Sequence, residues 1–118
     1  MSELLQQPSR AEITLDDIFR ALAEPLRRTA IAVLATMPDG TERSCASFGF
    51  PVAKASLTHH FRVLREVGLI SQIDYGNRRA SILRREDIET RFPGLLQLLV
   101  DELRDQQANG ESAVASVS

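Results

Sequence analysis

With 118 residues, 43% hydrophobic and 25% charged, the sequence describes one globular domain with an ordinary core and excludes disordered and fibrous classes. No apolar run approaches the roughly 20 residues of a membrane span, and the start MSELLQQPSR lacks the basic-then-apolar layout of a secretory signal. A cytoplasmic protein with no membrane partner is therefore expected, and the net charge of −2 is on its face unfavourable for a polyanion.

Residues 1–11 are polar and without period, and residues 108–118 are small and polar, so both are expected to be flexible around a domain spanning 12–107. Thr14 is placed to cap a first helix, with Asp16 and Asp17 at the positive end of its dipole and Ile18, Leu22 and Leu15 on one face. That helix should stop near Glu24, because a residue preceding proline is pushed out of helical angles. Pro25 suits the first turn of a second helix, in which Leu26, Ala30, Val33, Leu34 and Met37 recur at helical spacing. Pro38-Asp39-Gly40 ends it, and Ser44 to Phe48 reads as a short helix followed by a tight turn around Phe50 and Val52.

From Ala53 to Val67, Leu57, Phe61 and Leu64 form an apolar stripe. The opposite face carries Ala55, Thr58, His59 and Arg62, with Lys54 and Ser56 at the amino end. Gly68 supplies a left-handed cap, and Leu69 to Tyr75 alternates as a strand. Gly76-Asn77 turns the chain, and Ala80 to Leu83 returns with Arg78 and Arg79 at the tip. Arg85 to Arg91 is a helical turn, and Pro93 is expected to start a last helix. Its apolar residues (Leu95, Leu96, Leu98, Leu99, Val100 and Leu103) are too many for a monomer's surface and call for a second chain, the alternative being core packing inside the monomer. The fold class is thus mainly α with a small two-stranded β-hairpin: a winged helix-turn-helix in a homodimer.

The charge is unevenly distributed. Residues 54–85 carry a net +5 and residues 86–118 a net −5, so a mildly acidic chain can present one basic face. A helix reads bases through side chains near its amino end that its own core stripe leaves free, which selects Lys54, Ser56, Thr58 and His59. Arg62 and Arg65 fall a turn or two later, suited to phosphates, and Arg78 and Arg79 in the hairpin suit the backbone or a minor groove. His59 and His60 point about 100° apart on a helix, which argues against one shared metal and for His60 packing inward. The alternative is a winged-helix interaction module without DNA binding. No phosphate loop, nucleophile elbow or catalytic dyad is present, and neither an enzyme nor a cofactor is expected.

The segments ALAEPLRRTAIAVL, AKASLTHHFRVLREVGLI and DYGNRRASIL resemble the ArsR family of winged-helix repressors, the similarity running over about residues 15–103. The resemblance implies a dimer built from the first and last helices, a palindromic double-stranded DNA operator and repression. The family's metal sites use cysteines at the start of the first motif helix or mixed carboxylate and histidine ligands on the last helix. The cysteine positions fall here on Glu42 and Ser44, and no histidine follows His60, so those metal sites are expected to be missing and the effector is unknown. Cys45 lies in the sensory region and is either a space-filling thiol or a one-cysteine redox sensor.

Overall fold

The hydroxyl of Thr14 accepts a hydrogen bond from the amide of Asp17 at 3.2 Å and so starts helix α1, Leu15–Leu22. The computed structural model describes the backbone of residues 2–117 and the side chains of residues 2–109. Pro25 occupies the first turn of α2, Pro25–Ala35, whose cap is the carboxylate of Glu24, accepting from the amides of Leu26 and Arg27. Helix α3, Lys54–Glu66, is followed by α4, Arg85–Arg91, and α5, Leu95–Val117. Gly94 has φ +90°, which is incompatible with helix, so α5 begins at Leu95 instead of Pro93. Its backbone helix continues through the segment expected to be a flexible tail as far as Val117.

The carboxyl end of α3 closes on Gly68 at φ +93°. The Gly68 amide donates to the carbonyl of Arg65 at 3.1 Å and the Leu69 amide to that of Leu64 at 3.0 Å, the paired bonds of a Schellman cap. Leu64 and Leu69, fully buried, supply its apolar contact.

The expected two-stranded hairpin is half of a larger sheet. Strands β1 (Glu3–Leu4), β2 (Arg43–Ser44), β3 (Ile70–Asp74) and β4 (Arg79–Leu83) form one antiparallel sheet in the order β1-β3-β4-β2. Two-residue strands are too short to show an alternating period, which is why neither outer strand is visible in the sequence. The segment expected to be flexible at the amino end is therefore placed: β1 covers the outer edge of β3, and a 3-10 turn at Arg10–Glu12 follows. Arg84, with only 9% exposure, holds this strap by donating to the carbonyl of Pro8 at 2.7 Å and to Asp87 at 2.9 Å. At the other end of the sheet, Gly76 alone in the β3–β4 loop has positive φ (+91°), the first central position of a type II′ turn.

The core gathers Ile18, Ile31, Leu34, Phe61, Leu64, Leu69, Ile70 and Ile88 between the helices and the sheet. Leu96, Leu99 and Val100 of α5 are buried, largely against α2. The leucines at the start of the last helix are thus mostly covered within one chain, and among its described residues Leu98, 63% exposed, is the large apolar side chain that stands well out. Leu15, expected on the inner face of α1, is instead exposed together with Phe19.

Candidate nucleic-acid interface

Phe61 and Leu64 are buried completely, which fixes the rotation of α3 and sends the intervening side chains outward. Lys54, His59 and Arg62 are exposed; Ser56 and Thr58 are half-buried. Ala53, which precedes the helix, has no side chain to cap it, and no acidic residue lies in the first turn. The helix therefore offers the positive end of its dipole beside Lys54.

The β3–β4 hairpin stands against this end of α3. Between them lies a cleft of about 510 Å³, to which α3 contributes Lys54, Thr58 and Phe61 and the hairpin contributes Asn77, Arg78 and Arg79. The guanidinium of Arg78 stacks on the ring of Tyr75 at 4.5 Å, and the Tyr75 hydroxyl donates to Glu42 in the segment before β2. That hydrogen bond raises the phenol's pKa above its ordinary value and ties the hairpin tip to the body of the protein. Arg79 lies 3.8 Å from Asp74, its register partner across the hairpin.

Not every cation of the basic block is available. The Nη1 of Arg65 donates to the Oε1 of Gln72, itself 2% exposed, at 2.6 Å. Burial lowers the pKa of Arg65, and the nearby charge of Arg79 lowers it further. Arg84 is occupied by the amino-terminal strap. Arg85 donates to the carbonyls of Leu34, Ala35 and Met37, neutralising the carboxyl end of α2. Lys54, Arg62, Arg78 and Arg79 are left facing outward. Sequence spacing cannot separate the two groups, since the partners of Arg65, Arg84 and Arg85 include a buried sheet residue and backbone carbonyls as far as 76 positions away.

His60 does not enter the core. It is half-buried, and its Nδ1 accepts from the Nη1 of Arg27 at 3.3 Å, while Arg27 also donates to the carbonyl of Ala21 at the end of α1. His59 borders a separate recess of about 250 Å³ with Asp17 and Arg20 of α1. Neither Arg20 nor Asn77 carries a signal in the sequence as a site residue; both come to the surface of α3 only through the packing of α1 and the hairpin turn.

Cys45 opens a 3-10 turn, Cys45–Phe48, packed between β2 and α3. It is half-buried at the floor of the cleft. Burial pushes its pKa up, and a hydrogen bond with Ser81 and the charge of Arg79 only partly offset this.

A three-helix core, a helix with a free polar face and an adjoining β-hairpin define a winged helix-turn-helix, the architecture of a large class of transcriptional regulators. No protein-family model matches the chain. It is 32% identical over 84 residues to an uncharacterized HTH-type transcriptional regulator, YceK, of Bacillus subtilis (strain 168), covering 70% of this chain and 82% of that protein. An ArsR-like transcriptional regulator from Rhodococcus sp. RHA1 superposes with a TM-score of 0.50 at 18% identity, covering 87% of this chain and 88% of that one. The chain belongs to the HTH-type transcriptional regulators, and its fold is that of an ArsR-like member.

Proposed function

We propose that the protein is a dimeric, sequence-specific repressor that lays the amino-terminal half of α3 in the major groove of a palindromic operator. The observation that carries this reading is the shared placement of Lys54, Thr58, Arg78 and Arg79 around one cleft between α3 and the hairpin. Lys54, Ser56, Thr58 and His59 meet base edges; Arg62, Arg78 and Arg79 meet phosphates or the adjacent minor groove. Arg65 takes a positioning role, joining α3 to Gln72 in the sheet.

Support for the dimer comes from Phe19 and Leu15 on α1 and Leu98 on α5, large apolar side chains 57%, 41% and 63% exposed in the single chain. A twofold dimer predicts half-sites about 34 Å apart. The family's metal chemistry has no evident place: Ser44 carries no thiol, and the Glu42 carboxylate accepts from Tyr75. The raised pKa of Cys45 supports a packing role over a one-cysteine sensor, because the thiol form reacts slowly.

Selection of bound sequences from random duplexes, with the mass of the free and bound protein measured by light scattering, tests the proposal. A palindromic motif recovered by a species of twice the chain mass is the expected result. A protein that retains no duplex at low salt overturns it.

A further inference from the structure

The cleft between α3 and the hairpin is larger and more apolar than a phosphate contact requires. Its volume, about 510 Å³, falls in the range of roughly 300–1,000 Å³ typical of small-molecule sites. Ala46 and the half-buried Cys45 form an apolar floor backed by the buried Phe61, and Lys54, Arg78 and Arg79 stand around it. Among the described residues no carboxylate lines the cleft; on the hairpin, Asp74 lies 3.8 Å from Arg79. Thr58 and Asn77 add hydrogen-bonding groups on the two opposite walls. A phosphate oxygen satisfies the cations and leaves the floor in water. A hydrocarbon satisfies the floor and leaves Lys54 and Arg78 without an anion. A flat organic anion, with an aromatic body and one carboxylate, answers to both.

We propose that this cleft is an effector site for aromatic carboxylates and that its occupation expels DNA. The inference rests on the reading of α3 and the hairpin as the DNA-binding surface, because Lys54, Thr58, Arg78 and Arg79 then serve both ligands. Binding of the two is mutually exclusive, and because a dimer presents two such clefts its apparent DNA affinity falls by the factor (1 + [L]/Kd)², about 120-fold at ten times the Kd of the anion.

The test has two arms. In the first, without DNA, 2-naphthoate is titrated into the full chain by calorimetry and by chemical-shift mapping. Naphthalene-2-carboxamide, acetate and inorganic phosphate serve as controls. The expected result is saturable 2-naphthoate binding that shifts Ala46, Thr58 and Asn77, at least 10-fold weaker binding of the uncharged carboxamide, and no saturation by acetate or phosphate. In the second arm, a duplex recovered by selection is displaced by 2-naphthoate at constant ionic strength. Ala46→Phe, which fills the floor from a position outside the DNA-contacting set, retains the duplex and loses the response. Absence of saturable 2-naphthoate binding, equal binding of the carboxamide, or a full response in Ala46→Phe overturns the effector site even where the duplex is bound normally. Competition by phosphate as strong as by 2-naphthoate also overturns it, by showing a phosphate seat only. Failure of the chain to bind any duplex while 2-naphthoate saturates the cleft refutes the DNA-binding reading and with it the expulsion of DNA.

Discussion

The junction between α3 and the wing depends on Gly68 for two separable reasons, which makes Gly68→Ala an informative perturbation. The first is conformational: at φ +93° an alanine suffers backbone strain of about 1–2 kcal/mol. The second is steric: a Cβ at this position lies 2.5 Å from Cγ1 and 2.7 Å from Cδ1 of Ile13, and 3.2 Å from Cγ of Pro8. Ile13 is 1% exposed and cannot swing into solvent, so relief requires repacking that costs a further ~1–3 kcal/mol. The total is about 2–5 kcal/mol. Gly76→Ala supplies the internal comparison, because φ there is +91° and nothing lies within 4 Å of the added carbon. It should carry the strain alone, about 1–2 kcal/mol. Urea unfolding at one fixed chain concentration measures both, which holds any contribution of self-association equal between the variants. A double-mutant cycle with Ile13→Ala isolates the steric part: removing the obstructing atoms should make the two losses sub-additive by at least ~1 kcal/mol. Equal losses in Gly68→Ala and Gly76→Ala, or strict additivity with Ile13→Ala, would refute the reasoning.

Three other outcomes follow from the same geometry. Thr58→Ala and His59→Ala should relax sequence preference in a selection experiment, whereas Arg79→Ala should weaken all duplexes alike; the reverse pattern would exchange the roles of helix and wing. Arg84→Met keeps the aliphatic stem but abandons the Pro8 carbonyl and Asp87, so it should cost ~1–3 kcal/mol in urea unfolding and speed hydrogen exchange at the Leu5 amide, which bonds the carbonyl of Gln72. Burial pushes the pKa of Asp87 up, but the hydrogen bonds from Arg10 and Arg84 and their charges outweigh it and hold the pKa below the usual value. A depressed carboxylate stabilises the fold above its unfolded pKa, near 3.9, and that contribution fades as pH falls through the lower folded value. Asp87→Asn should therefore lose stability less steeply than the wild type from about pH 5 downward, and an unchanged acid limb would show that Asp87 contributes nothing.

What could be read in advance divides along a physical line. Helices α1, α2 and α3 announce themselves because each bears a local signal: Thr14 at a cap, Pro25 at a first turn, Gly68 at a left-handed end. The inward turn of Phe61 and Leu64 follows from spacing within one helix. Strands β1 and β2 are invisible because two residues cannot establish a period, and they exist only through pairing with β3 and β4. The last helix shows the same limit from the other side. Its leucines are correctly apolar, but whether another chain or α2 covers them depends on packing; α2 covers Leu96, Leu99 and Val100 and leaves Leu98. His60 likewise meets Arg27 across 33 positions, a partner that helical spacing cannot supply.

The same distinction sets a number for DNA binding. The +5 block of residues 54–85 contains seven cations, and if all met phosphates each protomer would give a salt slope of about −6 and a dimer about −13. Three of the seven are committed elsewhere: Arg65 to Gln72, Arg84 to Pro8 and Asp87, Arg85 to the end of α2. With Lys54, Arg62, Arg78 and Arg79 remaining, this block can release counterions worth a slope of no more than about −3.6 per protomer, or −7 for a dimer. The slope of log K against log salt, measured on a selected operator, decides between the two counts. A value near −13 would mean that Arg65, Arg84 and Arg85 leave their intramolecular partners for phosphate, which would undo the assignment of those arginines to holding the fold together.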